Sequence, residues 1–217
     1  MTMTAKEVGL FNSLLAKTQY FLEFGSGDST SLAVSHIQIM RIDSVESDRE
    51  FYESQLSHRP EIQNATQDGR LFFHFPDLGE TREWGTPVNS DKKHLWSLYS
   101  SQVFENTIPY DLVLVDGRFR VACALQAIRF LGNSARVLIH DFTIRPQYRV
   151  LLRFFEIEDV ADTLVLLKRK TDFNNKNFDN CLSTFASLPE DKTLWFKIFN
   201  RLPRILSEKL GISSKTD

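Results

Sequence analysis

Two acidic residues and the glycine turn between them carry the chemistry this sequence offers most plainly. The apolar run Tyr20-Phe21-Leu22 reaches Glu23, and Phe24-Gly25-Ser26-Gly27-Asp28-Ser29-Thr30 follows it. An apolar run, a glycine-flanked turn and a segment of helical spacing predict a strand, a tight turn and a helix start. At the carboxyl edge of a sheet this arrangement presents glycine backbone and free helix N–H groups to a ligand. About 20 residues on, Glu46 ends a second expected strand, Ile39–Val45, where a carboxylate can accept hydrogen bonds from both hydroxyls of a ribose.

The turn is not built for a pyrophosphate. A dinucleotide site asks for Gly-x-Gly-x-x-Gly, and Thr30 takes the third position, which disfavours a nucleotide- or NAD-linked oxidoreductase. Glu23, two residues before the first glycine, suits a bound ammonium. The two acids together fit a ligand with an amino acid at one end and a ribose at the other, and S-adenosylmethionine is such a ligand.

Further groups gather after two later apolar runs. Asp116 closes Leu112-Val113-Leu114-Val115, and His140-Asp141 closes Arg136–Ile139. Either Asp116 or His140 can serve as a proton sink for a hydroxyl acceptor; the imidazole is the better generic base, having an ordinary pKa near neutrality. Arg118, Arg120 and Arg145 follow the same two strands, and guanidinium suits a bidentate grip on carboxylate or phosphate. Trp84 lies on the irregular stretch Asp77–Pro87, placed to cover a cofactor or stack on a sugar ring.

Glu23-x-Gly25-x-Gly27 with Glu46 resembles the cofactor site of class I S-adenosylmethionine-dependent methyltransferases. Over roughly Leu10 to Lys168 the resemblance extends to the loop Asp77-Leu78-Gly79…Glu83-Trp84-Gly85-Thr86-Pro87. It also takes in the run Val115-Asp116-Gly117-Arg118-Phe119-Arg120-Val121-Ala122-Cys123-Ala124-Leu125. Both look like a bacterial methyltransferase-like group with no assigned acceptor. The resemblance implies S-adenosylmethionine as cofactor, with Glu23 near the methionine amino group. Gly25, Ser26, Gly27, Ser29 and Thr30 would line the turn, and Glu46 with Ser47 would hold the ribose. It also places Asp116 next to the expected sulfonium. Ser29 replaces a frequent third glycine and is expected to cap the helix. Metal-dependent catechol-type methyltransferases place carboxylates at the two later strand ends and an Asn directly after the second; Phe142 stands there, and no metal is expected. The expected activity is methyl transfer to a small or glycan-like, anionic acceptor. A non-catalytic binding module on the same fold is the alternative outside enzymology.

The elements that must hold these groups follow from periodicity. Leu10, Phe11, Leu14 and Leu15 mark a helix over Lys6–Lys17 leading into the first strand. Ser47-Asp48-Arg49-Glu50 has the form of a capping box, opening a helix through Leu56 that Pro60 closes. Leu71–Phe75 is a third strand; Ser90 is expected to cap a helix bearing Leu95, Tyr99 and Val103. Asp111–Asp116 reads as a central parallel strand, and a helix with Val121, Leu125 and Ile128 on one face ends at Gly132. Arg136–Asp141 is a fifth strand, and Pro146 opens a helix bearing Tyr148 and Leu151. Phe155–Ala161 and Thr163–Arg169 form a closing antiparallel pair. The expected fold is α/β: a Rossmann-like doubly wound sheet, mostly parallel, of about seven strands, with helices on both faces.

Composition bounds the rest. The 217 residues carry a formal net charge of −2, which provides no basic field for nucleic acid or acidic membrane. Cys123 and Cys181 match no metal or redox spacing and read as reduced thiols in a cytoplasmic protein. No run approaches the roughly 20 apolar residues of a membrane span. A methyltransferase-like domain is expected over residues 1–171, with Asn174–Asn180 a polar connector within a tail over 172–217. Lys192–Leu210 reads as an amphipathic helix packing on the domain or a dimer partner, with weak potential for membrane-surface contact.

Overall fold

The computed structural model describes residues 3–82, 85–133 and 136–189. Trp84 and the amphipathic segment Lys192–Leu210 lie outside them. A seven-stranded sheet organises the chain: β1 (Tyr20–Phe24), β2 (Arg41–Val45), β3 (Leu71–His74), β6 (Leu112–Val115), β7 (Arg136–Ile139), β8 (Phe155–Ala161) and β9 (Leu164–Arg169). Two short strands, β4 (Thr81–Arg82) and β5 (Thr86–Pro87), form a separate hairpin. The strand order is β3-β2-β1-β6-β7-β9-β8. β1, β2, β3, β6 and β7 run parallel, while β9 is antiparallel to β7 and to β8, so the sheet is Rossmann-like with a closing antiparallel pair.

Both sheet faces are covered, which is why the central strands are apolar at successive positions. On one face Leu22, Phe24, Val113, Val115, Val137 and Ile139 pack beneath α5 (Ser97–Ser101), α6 (Arg120–Leu131) and α7 (Asn175–Phe185). On the other, Phe21, Ile42, Leu112, Leu114 and Leu138 meet α1 (Ala5–Leu15), α2 (Asp28–Ser35) and α4 (Pro60–Gln67). From β1 the chain winds outward through β2 and β3, then crosses to β6 on β1's other side. The topological switch point therefore lies between β1 and β6, where open α/β sheets bind ligands.

Several local expectations are corrected. Pro60 opens α4 at its first turn, where a missing N–H costs nothing, and does not close a helix. The preceding short helix α3 (Arg49–Phe51), continued by a π turn over Tyr52–Leu56, is capped by the Asp48 carboxylate accepting from Phe51 N. Ser47 does not cap it; its hydroxyl donates to the Gly85 carbonyl, 3.3 Å away. Ser90 offers its carbonyl to Lys93 N at the start of a 3-10 turn, and α5 begins only at Ser97. The segment after Pro146 is also a 3-10 helix, over Pro146–Arg153. Asn174–Asn180 is no connector: Asn174 caps α7, whose Phe178, Cys181, Leu182 and Phe185 pack into the core. Both cysteines are buried free thiols, and burial pushes Cys181 up to about 12.

Candidate active site

The glycine turn lies at the switch point and is fixed by backbone contact. Gly25, at φ +94°, approaches Gly117 so closely that a Cβ on Gly25 would stand 2.6 Å from Gly117 Cα. The Gly117 N–H donates to the Phe24 carbonyl at 2.6 Å, tying the β1 turn to the β6 turn. A side chain at Gly27 would meet nothing within 4 Å, so the backbone beyond the pinch is open to a ligand.

Glu23 departs from expectation. It is fully buried, and its carboxylate accepts from Thr30 Oγ1, from Ser44 Oγ at 2.7 Å and from Ser29 Oγ at 2.8 Å. Burial pushes its pKa up to about 7 despite these three donors, and the Glu46 charge adds to the rise. The carboxyl is the internal peg of the turn, not a group held out for an ammonium. Thr30 is likewise fully buried, and its hydroxyl also accepts from Gly27 N. Ser29 donates to Glu23 and does not cap α2; the N-cap position is Gly27. The threonine that breaks the dinucleotide pattern is thus the donor that the buried acid needs.

Glu46 holds the other end of the turn. Its Oε2 accepts from Ser26 N at 3.0 Å, and its Oε1 from Ser47 N at 2.7 Å and Asp48 N at 2.8 Å. Ser47 Oγ also donates to Oε1, at 3.5 Å; of the roughly four lone-pair sites of a carboxylate, the one left least engaged is on Oε2, which takes a single backbone donor. Burial outweighs these donors and raises its pKa.

The ends of β6 and β7 form one ionic network. Arg120, 5% exposed, spends its guanidinium inside it. Nη2 donates to the Asp116 carbonyl at 2.8 Å and lies 2.9 Å from Asp116 Oδ1; Nη1 donates to the His140 carbonyl at 2.7 Å and to Asp141 Oδ2 at 3.3 Å; Nε donates to the Gly117 carbonyl at 3.1 Å. Arg145 Nη2 also donates to Asp141 Oδ2, at 2.8 Å. Arg120 is therefore a clamp, not the substrate-facing group expected of it. The backbone turns that place these groups are unusual: Phe119 (φ 52°) and Asp141 (φ 62°) are both left-handed without being glycine, at a cost of ~1–3 kcal/mol each.

His140 is 2% exposed, with Nδ1 2.9 Å from Asp116 Oδ1 and Nε2 3.5 Å from Glu7 Oε2. Both ring nitrogens are engaged inside the protein, so the ring is not the open base foreseen for it. Asp116 is the partly exposed acid of the group, its side chain 27% accessible. Burial pushes its pKa up, but His140 and Arg120 outweigh that and hold it below the ordinary carboxylate value. Asp116, His140 and Asp141 each offer a ligand atom within 4.8 Å of the others. They do not fit a divalent ion: the Arg120 guanidinium already bridges the two carboxylates, and Phe142 supplies no oxygen.

Glu7 was missed by sequence reasoning. Thr4-x-x-Glu7 is visible as a capping box, which α1 indeed has, but nothing in it announces a partner on β7. Ser44 and Thr163 were missed for the same reason, since each bonds an acid from a distant element. Arg118 sits half-buried beside Gly117, its N–H donating to Tyr99 Oη.

Solved structures share this architecture. A methyltransferase-like protein from Silicibacter pomeroyi is 24% identical, with a TM-score of 0.72 over 87% of this chain and 97% of that one. An RNA methyltransferase from Salinibacter ruber, crystallised with S-adenosyl-L-homocysteine, is 14% identical, with a TM-score of 0.49 over 80% of this chain and 97% of that one. No protein-family model and no curated protein matches the chain. The fold is that of the methyltransferase-like protein from Silicibacter pomeroyi. Among the described residues, no helix is long and apolar enough to cross a membrane.

Proposed function

We propose that the protein is an S-adenosylmethionine-dependent methyltransferase. The observation that carries this reading is Glu46: a carboxylate held by three backbone N–H groups at the end of β2, facing the Gly25–Gly27 turn at the switch point. The lone pair left on Oε2 is where a ribose hydroxyl would bind, with Ser26, Gly27 and Ser47 alongside. When bound, the cofactor supplies an electrophilic methyl on a sulfonium. The chain's part is to align donor and acceptor, since an in-line displacement gains most from fixed geometry.

Asp116 lies across the Gly25–Gly117 pinch and supplies negative charge next to a cationic ligand. It takes over the role first given to Glu23, whose acceptors are spent on hydroxyls. Held by His140 and the Arg120 guanidinium, Asp116 is a weak base, which suits an acceptor that is already anionic or readily deprotonated. Arg118 and Arg145, at the ends of the same two strands, together with Trp84, are the groups proposed to meet a small or glycan-like, anionic acceptor. Arg120 is withdrawn from that set. The formal net charge of −2 favours such an acceptor over RNA.

Calorimetric titration with S-adenosylhomocysteine and, separately, NAD⁺ tests the proposal. Binding of the first alone is expected; binding of NAD⁺ alone contradicts it. Labelled methyl donor offered to a small-metabolite pool and to total RNA then reads the acceptor class, with label expected in the small molecules.

A further inference from the structure

The imidazole of His140 is held between carboxylates contributed by different parts of the chain. Nδ1 faces Asp116 Oδ1 at 2.9 Å, and Nε2 faces Glu7 Oε2 at 3.5 Å. Asp141 Oδ1 stands 3.8 Å from Nδ1, and Arg120, which donates to the His140 backbone carbonyl, shares Asp116 Oδ1 with the ring as the facing positive charge. A neutral imidazole has one N–H, so one nitrogen would turn a lone pair toward a carboxylate oxygen; only the imidazolium has a hydrogen for each side.

Glu7 is itself fixed as an anion. It is 1% exposed; Oε1 accepts from Thr163 N at 2.9 Å and Thr163 Oγ1 at 2.6 Å, and Oε2 from Thr4 N at 2.7 Å. Burial pushes its carboxyl up, but the Thr163 and Thr4 donors prevail and hold it at about 2. At the other end, His140 and Arg120 both hold Oδ1 of Asp116, and no described residue hydrogen-bonds Oδ2.

We propose that Glu7 is a positioning residue that keeps His140 an imidazolium, and that this charge, with Arg120, fixes Asp116 as an oriented carboxylate presenting Oδ2 to the methyl-donor crevice. The proposal rests on reading that crevice as the methyl-donor site. Helix α1 and the β8–β9 turn thereby act on the site through one buried carboxylate without touching a ligand.

The test is an NMR titration of the His140 ring in the ligand-free full chain, wild type and Glu7→Gln. The wild-type ring is expected to titrate above the ordinary histidine value, and the Glu7→Gln ring at least tenfold weaker in proton affinity, a fall of about one pH unit. A wild-type midpoint at or below the ordinary value overturns the proposal, as does an unchanged midpoint in the variant. If Glu7→Gln fails to fold, the wild-type ring still overturns the proposal by titrating at or below the ordinary value. The pH profile of methyl transfer in the variant should shift with the His140 midpoint; a profile that stays in place while the midpoint moves also overturns the proposal. Neither ring titration needs cofactor, so loss of the methyltransferase reading would show separately, in the S-adenosylhomocysteine titration.

Discussion

Replacing Glu23 by Gln should stabilise the protein at pH 8 and do far less at pH 5. Glu23 has an ordinary carboxyl pKa of 4.5 and is raised to about 7 by burial in the fold. The unfolded chain therefore releases this proton first, and between roughly pH 4.5 and 7 the native state binds more protons than the unfolded one. Stability linked to the group is fully present below 4.5 and is lost as pH rises through 7. At about 1.4 kcal/mol per pKa unit, the loss is ~1 kcal/mol at pH 5 and ~3 kcal/mol at pH 8. Gln keeps an acceptor for Thr30 or Ser44, can donate to Ser29, and carries no charge to bury. Urea denaturation of wild type and Glu23→Gln at both pH values should give the variant ~2 kcal/mol more advantage at pH 8 than at pH 5, read as a shift in midpoint at constant slope. In thermal unfolding the corresponding gain is several degrees. A variant advantage that does not grow with pH would refute the reasoning, because it would mean that the wild-type carboxylate ionises in the fold without penalty.

Glu46→Ala should weaken S-adenosylhomocysteine binding about tenfold to a hundredfold by calorimetry, the value of one or two charge-assisted hydrogen bonds; unchanged affinity removes the ribose assignment. Gly25→Ala should lower stability by ~3 kcal/mol or more in denaturant melts, because its φ of +94° and a Cβ 2.6 Å from Gly117 Cα leave no room to adjust. Arg120→Ala leaves the Asp116 and Asp141 carboxylates without their clamp and should cost ~3–5 kcal/mol in the same assay. Arg120→Lys should rescue only part of this, since one ammonium cannot span both acids. Treatment with EDTA should leave methyl transfer unchanged, and activity restored only by Mg²⁺ would overturn the description of Arg120 as the resident cation.

The sheet was legible because its central strands are covered on both faces: Leu112–Val115 and Phe21-Leu22 leave few alternatives to buried strands between helices. Glu46 was legible by position, as the acid that ends the second strand about 20 residues after the glycine turn. The inward-facing acids were not. Glu23 was taken for a ligand group because its partners, Ser44 from β2 and Thr30 from α2, become partners only when the turn folds back on the sheet. Arg120 and Arg118 are two residues apart with the same chemistry, and only the left-handed Phe119 between them turns Arg120 under the strand ends. Nothing in local composition reports a φ of that sign at a phenylalanine. Glu7 shows a third limit: its capping box is real, yet the second oxygen of the carboxylate serves Thr163, far along the chain.

The central claim is that the carboxyl edge of β1, β2 and β6 is a methyl-donor site in which Glu46 grips a ribose and Asp116 faces the reacting sulfur. A crystal structure with S-adenosylhomocysteine measures this directly. The account predicts a ribose hydroxyl on Glu46 Oε2, the Gly25–Gly27 backbone alongside, and the thioether sulfur on the Asp116 side of the Gly25–Gly117 contact. A ligand bound elsewhere on the molecule, or bound at this edge with Glu46 still facing only its donors within the protein, would contradict it.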